Sequence, residues 1–129
     1  MNIPPKIYFI SNSGNSSLSE FINSNLYYES FDVSFKQLKL ENLKKENPDI
    51  IVFDLYFQDK QYDEVIADVM KQFENKPIYF LSPKDNNFKK VAQVINTKLH
   101  LLTNFSGDVI GKINHYLNQI YSVRQLRVG

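Results

Sequence analysis

The most constraining feature of this chain is a run of four apolar residues, Ile50-Ile51-Val52-Phe53, closed on either side by Asp49 and Asp54. A strand that alternates apolar and polar residues can leave one face in water, but this one has no polar face to offer. It must be covered on both sides, as a central strand of a parallel sheet is. The run is too short and too sharply bounded to read as a helix. Two other segments share its character. Lys6-Ile7-Tyr8-Phe9-Ile10 stops at the turn formers Ser11-Asn12-Ser13-Gly14-Asn15, and Ile78-Tyr79-Phe80-Leu81 lies between Pro77 and Ser82-Pro83.

The intervening stretches carry helical spacing. Leu18, Phe21, Ile22 and Leu26 form one apolar stripe, with Ser16 or Ser17 as cap and Glu20 completing a capping box. Residues 28–34 set Phe31 and Val33 among polar neighbours, the pattern of an edge strand. Leu38, Leu40 and Leu43 predict a helix that stops before Pro48. Tyr62, Val65, Ile66, Val69, Met70 and Phe73 predict the next helix, and Phe88, Val91, Ala92 and Ile95 another. A strand over residues 99–102 precedes a terminal helix with Val109, Ile110, Ile113, Leu117 and Ile120 on one face, capped by Ser106 or Asp108. Strand and helix thus alternate five times, which predicts an α/β fold: a doubly wound, five-stranded parallel sheet, (βα)5, with helices on both faces. Ligands and chemistry in such sheets gather outside the carboxyl ends of the strands. Ser11-Asn12, Asp54, Ser82 and Thr103 fall at those ends.

The length of 129 residues suits one domain, expected over residues 1–121, with 122–129 as a tail or the start of a linker. An apolar content of 43% supports a core and excludes wholesale disorder. Fifteen basic against fourteen acidic residues give a net charge of +1, not the local basic excess of a nucleic-acid binder. The absence of cysteine excludes disulfides, thiol catalysis and thiolate-held metals. No apolar run approaches the ~20 residues of a membrane span, and Met1-Asn2-Ile3-Pro4-Pro5-Lys6 lacks a signal-peptide pattern. A cytoplasmic protein without membrane contact is expected.

The segment Pro48-Asp49-Ile50-Ile51-Val52-Phe53-Asp54-Leu55 resembles the third strand of a response-regulator receiver domain, with Asp54 at the phosphoacceptor position. Pro77 through Ser82 resembles the fourth, which ends in a switch Ser or Thr. The separations agree: 42 residues from Asn12 to Asp54, 28 from Asp54 to Ser82, and 21 from Ser82 to Thr103. The likeness extends over about residues 6–120. It implies a signal-transduction role and a flavodoxin-like fold. It also implies a site in which an acidic pair after the first strand joins the acceptor aspartate in holding Mg²⁺. A lysine after the fifth strand would neutralise the phosphoryl group, since phosphoryl transfer works by positioning and electrostatic stabilisation.

This chain departs at those charged places. Ser11-Asn12 stand where the acidic pair belongs, and Thr103, or Asn104 on a one-residue slip, stands where the lysine belongs. The proline that normally follows is missing, Pro83 follows Ser82, and the loop Tyr56-Phe57-Gln58-Asp59-Lys60 lacks the usual Pro and Gly. Mg²⁺ prefers hard anionic oxygens, so one carboxylate and an amide should hold it weakly. Lys84 and Asp59 are the nearby residues able to substitute. Asp54 thus has two readings. It is either a phosphoacceptor using substitute groups, or a relic that hydrogen-bonds Ser11, Asn12, Ser82 or Thr103 and ties the strand ends together. The expectation adopted is the second: an atypical receiver, not an enzyme and without cofactor or metal, acting through a protein partner or homodimer and regulating a transcription-factor effector beyond the linker.

By the resemblance, the contact surface is the face built from the fourth helix, fifth strand and fifth helix. Phe88, Val91, Ile95, Leu99, Leu101, Ile113, Tyr116 and Leu117 lie there, and His100 takes the place of the switch aromatic. No direct nucleic-acid binding is expected of this domain. A rival stems from Ser11-Asn12-Ser13-Gly14-Asn15-Ser16, which resembles the phosphate loop of FMN-binding flavodoxins, with Tyr56 and Phe57 as aromatics for the flavin ring.

Overall fold

The computed structural model describes residues 4–16, 18, 28–56, 62–83 and 99–128, and the backbone alone over residues 120–128. Five strands, β1 (Lys6–Ser11), β2 (Glu29–Ser34), β3 (Ile50–Asp54), β4 (Ile78–Leu81) and β5 (His100–Thr103), form one sheet. The order is β2-β1-β3-β4-β5 and every pairing is parallel. This is the flavodoxin-like doubly wound order, whose reversal of winding lies between β1 and β3. The described helices are α1 (Leu40–Glu46), α2 (Asp63–Gln72) and α3 (Ser106–Val128). The helices expected around Phe21 and around Phe88 to Ile95 lie outside the described residues.

The two-sided burial demanded by the β3 sequence is realised residue by residue. Ile51 and Phe53 face one core with Tyr8, Ile10, Ile78 and Phe80, closed by Leu43 of α1 and Ile66, Val69 and Met70 of α2. Ile50 and Val52 face the other with Ile7, Phe9, Tyr79 and Leu81, closed by Leu18 and by Val109, Ile113 and Leu117 of α3. The period-2 alternation of the strands and the i, i+4, i+8 stripe of α3 make this division. The amphipathic β2 is an edge strand, as its pattern predicts, with Glu29 and Ser30 exposed. α1 ends where Pro48 requires. Asn47 turns into the left-handed region at φ 50° and its N–H donates to the Leu43 carbonyl, a C-terminal cap suited to asparagine.

Face-to-face aromatic rings run across the first core toward the carboxyl end of the sheet. Tyr62 stacks on Phe35 at 4.3 Å, Phe35 lies 6.0 Å from Phe53, and Phe53 lies 5.2 Å from Phe80. Because Phe53 precedes Asp54, this packing fixes the strand end from which the carboxylate projects. At the opposite end, the Lys6 ammonium pairs with Glu46 at 3.3 Å and the Lys6 backbone N–H donates to Asp49 at 2.8 Å. The α3 backbone continues through residues 122–128, so the stretch expected as a tail is helical.

Candidate functional site

The carboxyl ends of β1, β3, β4 and β5 open into a cleft of about 530 Å³ lined by Ser11, Asn12, Ser13, Asn15, Asp54, Tyr56, Leu81, Asn104, Phe105 and Ser106. Parallel pairing dictates this gathering: Ser11 is in register with Asp54, Asp54 with Leu81, and Leu81 with Thr103. Asp54 is half-buried at the mouth. None of the described lining residues is a lysine, arginine or histidine. Lys84 and Asp59, the substitutes considered from the sequence, lie outside the described residues.

The carboxylate of Asp54 is held at both oxygens. Oδ2 accepts the Ser16 hydroxyl at 2.9 Å, and Oδ1 accepts the Tyr56 backbone N–H at 3.2 Å. This corrects the network expected from sequence, because Ser11, Ser82 and Thr103 all use their hydroxyls elsewhere. Ser11 Oγ accepts the Gly14 N–H, Ser82 Oγ donates to the Pro83 carbonyl, and Thr103 Oγ1 donates to Asp108 at 2.8 Å while accepting the Phe105 N–H. Each bonds to its own following turn, which is closer than a neighbouring strand. Thr103 and Asp108 therefore fasten the start of α3. An acid, not a cation, is the partner of the residue in the lysine position. Asn12 lines the cleft.

Ser16, expected as a helix cap or as part of a phosphate loop, proves to be a partner of Asp54. It does accept the Leu18 N–H at 3.3 Å, but the same hydroxyl reaches Asp54, and its backbone N–H donates to Asp32 of β2 at 3.1 Å. The available signal was topological: the loop after β1 lies beside the end of β3 in this strand order. The loop is also pinned at Gly14, whose φ is +75° and whose missing Cβ would meet the Ser34 backbone nitrogen at 3.1 Å. Tyr56 was likewise read too narrowly. Its hydroxyl donates to the Asn104 carbonyl at 3.0 Å, and its ring packs on the second core, so it bridges two loops across the cleft. Phe57 lies outside the described residues.

The loop from Ser11 to Ser16 also bears on phosphate binding. The N–H groups of Gly14, Asn15 and Ser16 donate to Ser11 Oγ, Ser13 Oγ and the Asp32 carboxylate. A phosphate cradle needs such donors uncommitted, and here three already have acceptors within the loop or on β2, one of them an anion. The Mg²⁺ site implied by the receiver resemblance fares no better. Its one carboxylate is engaged at both oxygens, Ser11 and Asn12 are neutral, and no group of three or more His, Asp or Glu gathers among the described residues. The residues present do not fit that ion.

His100 opens β5 opposite Ile78, three residues or roughly 10 Å back from Thr103. Burial lowers its pKa from the ordinary 6.5. Burial, with the Tyr116 phenol second, raises that of Tyr79 to about 12. The expected contact surface needs correction. Ile113 and Leu117 are fully buried against the sheet and belong to the core stripe of α3. Leu101 and Tyr116 are partly buried in the same cluster, Leu99 is half-exposed, and Phe88, Val91 and Ile95 lie outside the described residues. Among the described residues the exposed large apolar side chains are Leu102, within the fifth strand of the expected surface, and Phe105, which the sequence pattern does not single out, at 38% and 62% exposure.

No protein-family model matches the chain, and a search of curated proteins finds no match. Among solved structures, it resembles the signal receiver domain of an HD domain-containing protein from Pseudomonas fluorescens Pf-5. The TM-score is 0.61 at 16% identity, covering 97% of this chain and 95% of that one. The likeness establishes a receiver-type fold. No described helix is long and apolar enough to cross a membrane.

Proposed function

We propose that this chain is a receiver-like signalling module in which Asp54 is structural, and that it acts by protein–protein interaction without phosphorylation. The observation that carries this reading is the state of Asp54. It occupies the acceptor place at the end of β3, yet its two oxygens bind Ser16 and Tyr56, with no cation among the described residues around it. Each hydrogen bond draws electron density from the oxygen that would attack and so lowers its nucleophilicity. The transferred group, carrying roughly two negative charges, would then meet Asp108 through Thr103 instead of an ammonium. The module is not an enzyme on this reading and needs no cofactor. Its partner, another protein or a second copy of the chain, would dock at the β5 edge, where Leu102 and Phe105 are exposed. An effector, DNA-binding in a transcription regulator, would respond to that docking, in the cytoplasm.

The reading is tested by incubating the protein with Mg²⁺ and acetyl phosphate and measuring intact mass. No phosphoryl adduct should form beyond the level of an Asp54→Asn control. Accumulation of an adduct that disappears in that control would establish conventional receiver chemistry instead. The flavodoxin-like alternative predicts a yellow FMN-loaded protein. The N–H groups of the β1 loop, already committed to acceptors of the protein, count against it.

A further inference from the structure

We propose that Ser16 weakens divalent-cation binding in this cleft, beyond what the neutral Ser11 and Asn12 already do: its hydroxyl competes for the Asp54 oxygen that a cation would use. The inference deepens the functional reading above and rests on it for the role of Asp54. Three features support it.

The first is geometry. Ser16 is 98% buried and its hydroxyl lies 2.9 Å from Oδ2, while the Tyr56 N–H holds Oδ1, so the carboxylate presents no oxygen that is not already an acceptor. The second is the placement of Ser16. Its own N–H is tied to Asp32, Gly14 packs onto Ser34, and the Phe35 N–H donates to the Ser11 carbonyl at 3.0 Å. The hydroxyl is thus delivered by a loop fixed to the edge strand, with little entropy left to lose in holding the carboxylate. The third is charge. Ser16 serves two acids, Asp32 through its backbone N–H and Asp54 through its hydroxyl, so removing the hydroxyl leaves the Asp54 charge without that donor.

Because the backbone tether to Asp32 does not depend on the side chain, removing the hydroxyl should free Oδ2 without releasing the loop. The experiment is a Mg²⁺ titration of the full chain at fixed ionic strength, followed by the amide resonances of Asp54 and Tyr56 in ¹H–¹⁵N spectra. Wild type is compared with Ser16→Ala, Ser16→Gly and Ser16→Ala/Asp54→Asn. The expected result is half-saturation at roughly tenfold lower Mg²⁺ in both single variants, the size of one hydrogen bond to a charged group, and loss of that gain in the double variant. Equal or weaker affinity in both single variants overturns the proposal, as does no detectable binding in any protein or a gain that survives Asp54→Asn. The glycine variant guards against an alanine-specific packing defect. A phosphoryl adduct on the wild type would overturn the functional reading, whereas this inference stands or falls on the ratio between Ser16 variants and wild type.

Discussion

Hydrogen bonds to Asp32 and Asp54 meet at Ser16, and they join β2, the β1 loop and β3 at the point where a receiver-type fold would do its chemistry. Asp54, Ser11, Asn12 and Thr103 were legible from sequence as residues at strand ends, because strand order alone brings those ends together. Their hydrogen-bond partners were not. A short polar side chain chooses between its own turn and a neighbouring strand on differences of tenths of an ångström, which spacing cannot resolve. Gly14 is the position where that local geometry can be tested most simply. With φ at +75° and Ser34 at contact distance, Gly14→Ala should cost about 1–3 kcal/mol in chemical denaturation, and an unchanged midpoint would show that the loop adapts. His100 supplies a pH test. Burial lowers its folded pKa, so as pH falls the unfolded chain takes up the proton before the folded one does. The stability that neutral His100 preserves is complete above the ordinary value of 6.5 and declines as pH drops below it. Denaturation midpoints at pH 7.5 and 5.5 should therefore converge more closely in His100→Gln than in wild type. Equal differences in the two proteins would remove His100 from the acid response.

At the scale of elements, the strands were legible because each is a brief apolar run that alternates between two cores, and β2 because it is polar on one side. α1 and α2 followed from apolar spacing, Pro48 giving the stop of α1. The extent of α3 was not legible. Apolar spacing weakens after Ile120, yet the backbone stays helical to Val128, since nothing in Ser122-Val123-Arg124-Gln125-Leu126-Arg127 breaks a helix. The same helix explains why Ile113 and Leu117 were misread as contact residues: one apolar stripe cannot both cover a sheet and face a partner. Truncation tells the two roles apart. Ile113→Ala should destabilise the fold by about 2–5 kcal/mol, the range for a fully buried aliphatic side chain. A loss below ~1 kcal/mol would return Ile113 to the surface.

For the molecule as a whole, the two cores sandwich a sheet in which Leu102 of the edge strand β5, and Phe105 just after it, are exposed. If that edge is the docking surface for a second copy, light scattering at rising concentration should report a dimer in the wild type. Leu102→Glu/Phe105→Glu should shift it toward monomer with little change in thermal stability. A strict monomer at high concentration removes the homodimer and leaves a different protein as the partner. The central claim concerns the cleft itself, whose described lining residues include no lysine, arginine or histidine to meet a phosphoryl group. It is tested most directly by adding beryllium fluoride, a mimic of the acyl phosphate, to the Mg²⁺-containing protein and recording ¹H–¹⁵N spectra. The account predicts that the amides of Asn12, Asp54, Ser82 and Thr103 stay where Mg²⁺ alone leaves them. Saturable shifts at those four residues, abolished by Asp54→Asn, would contradict it.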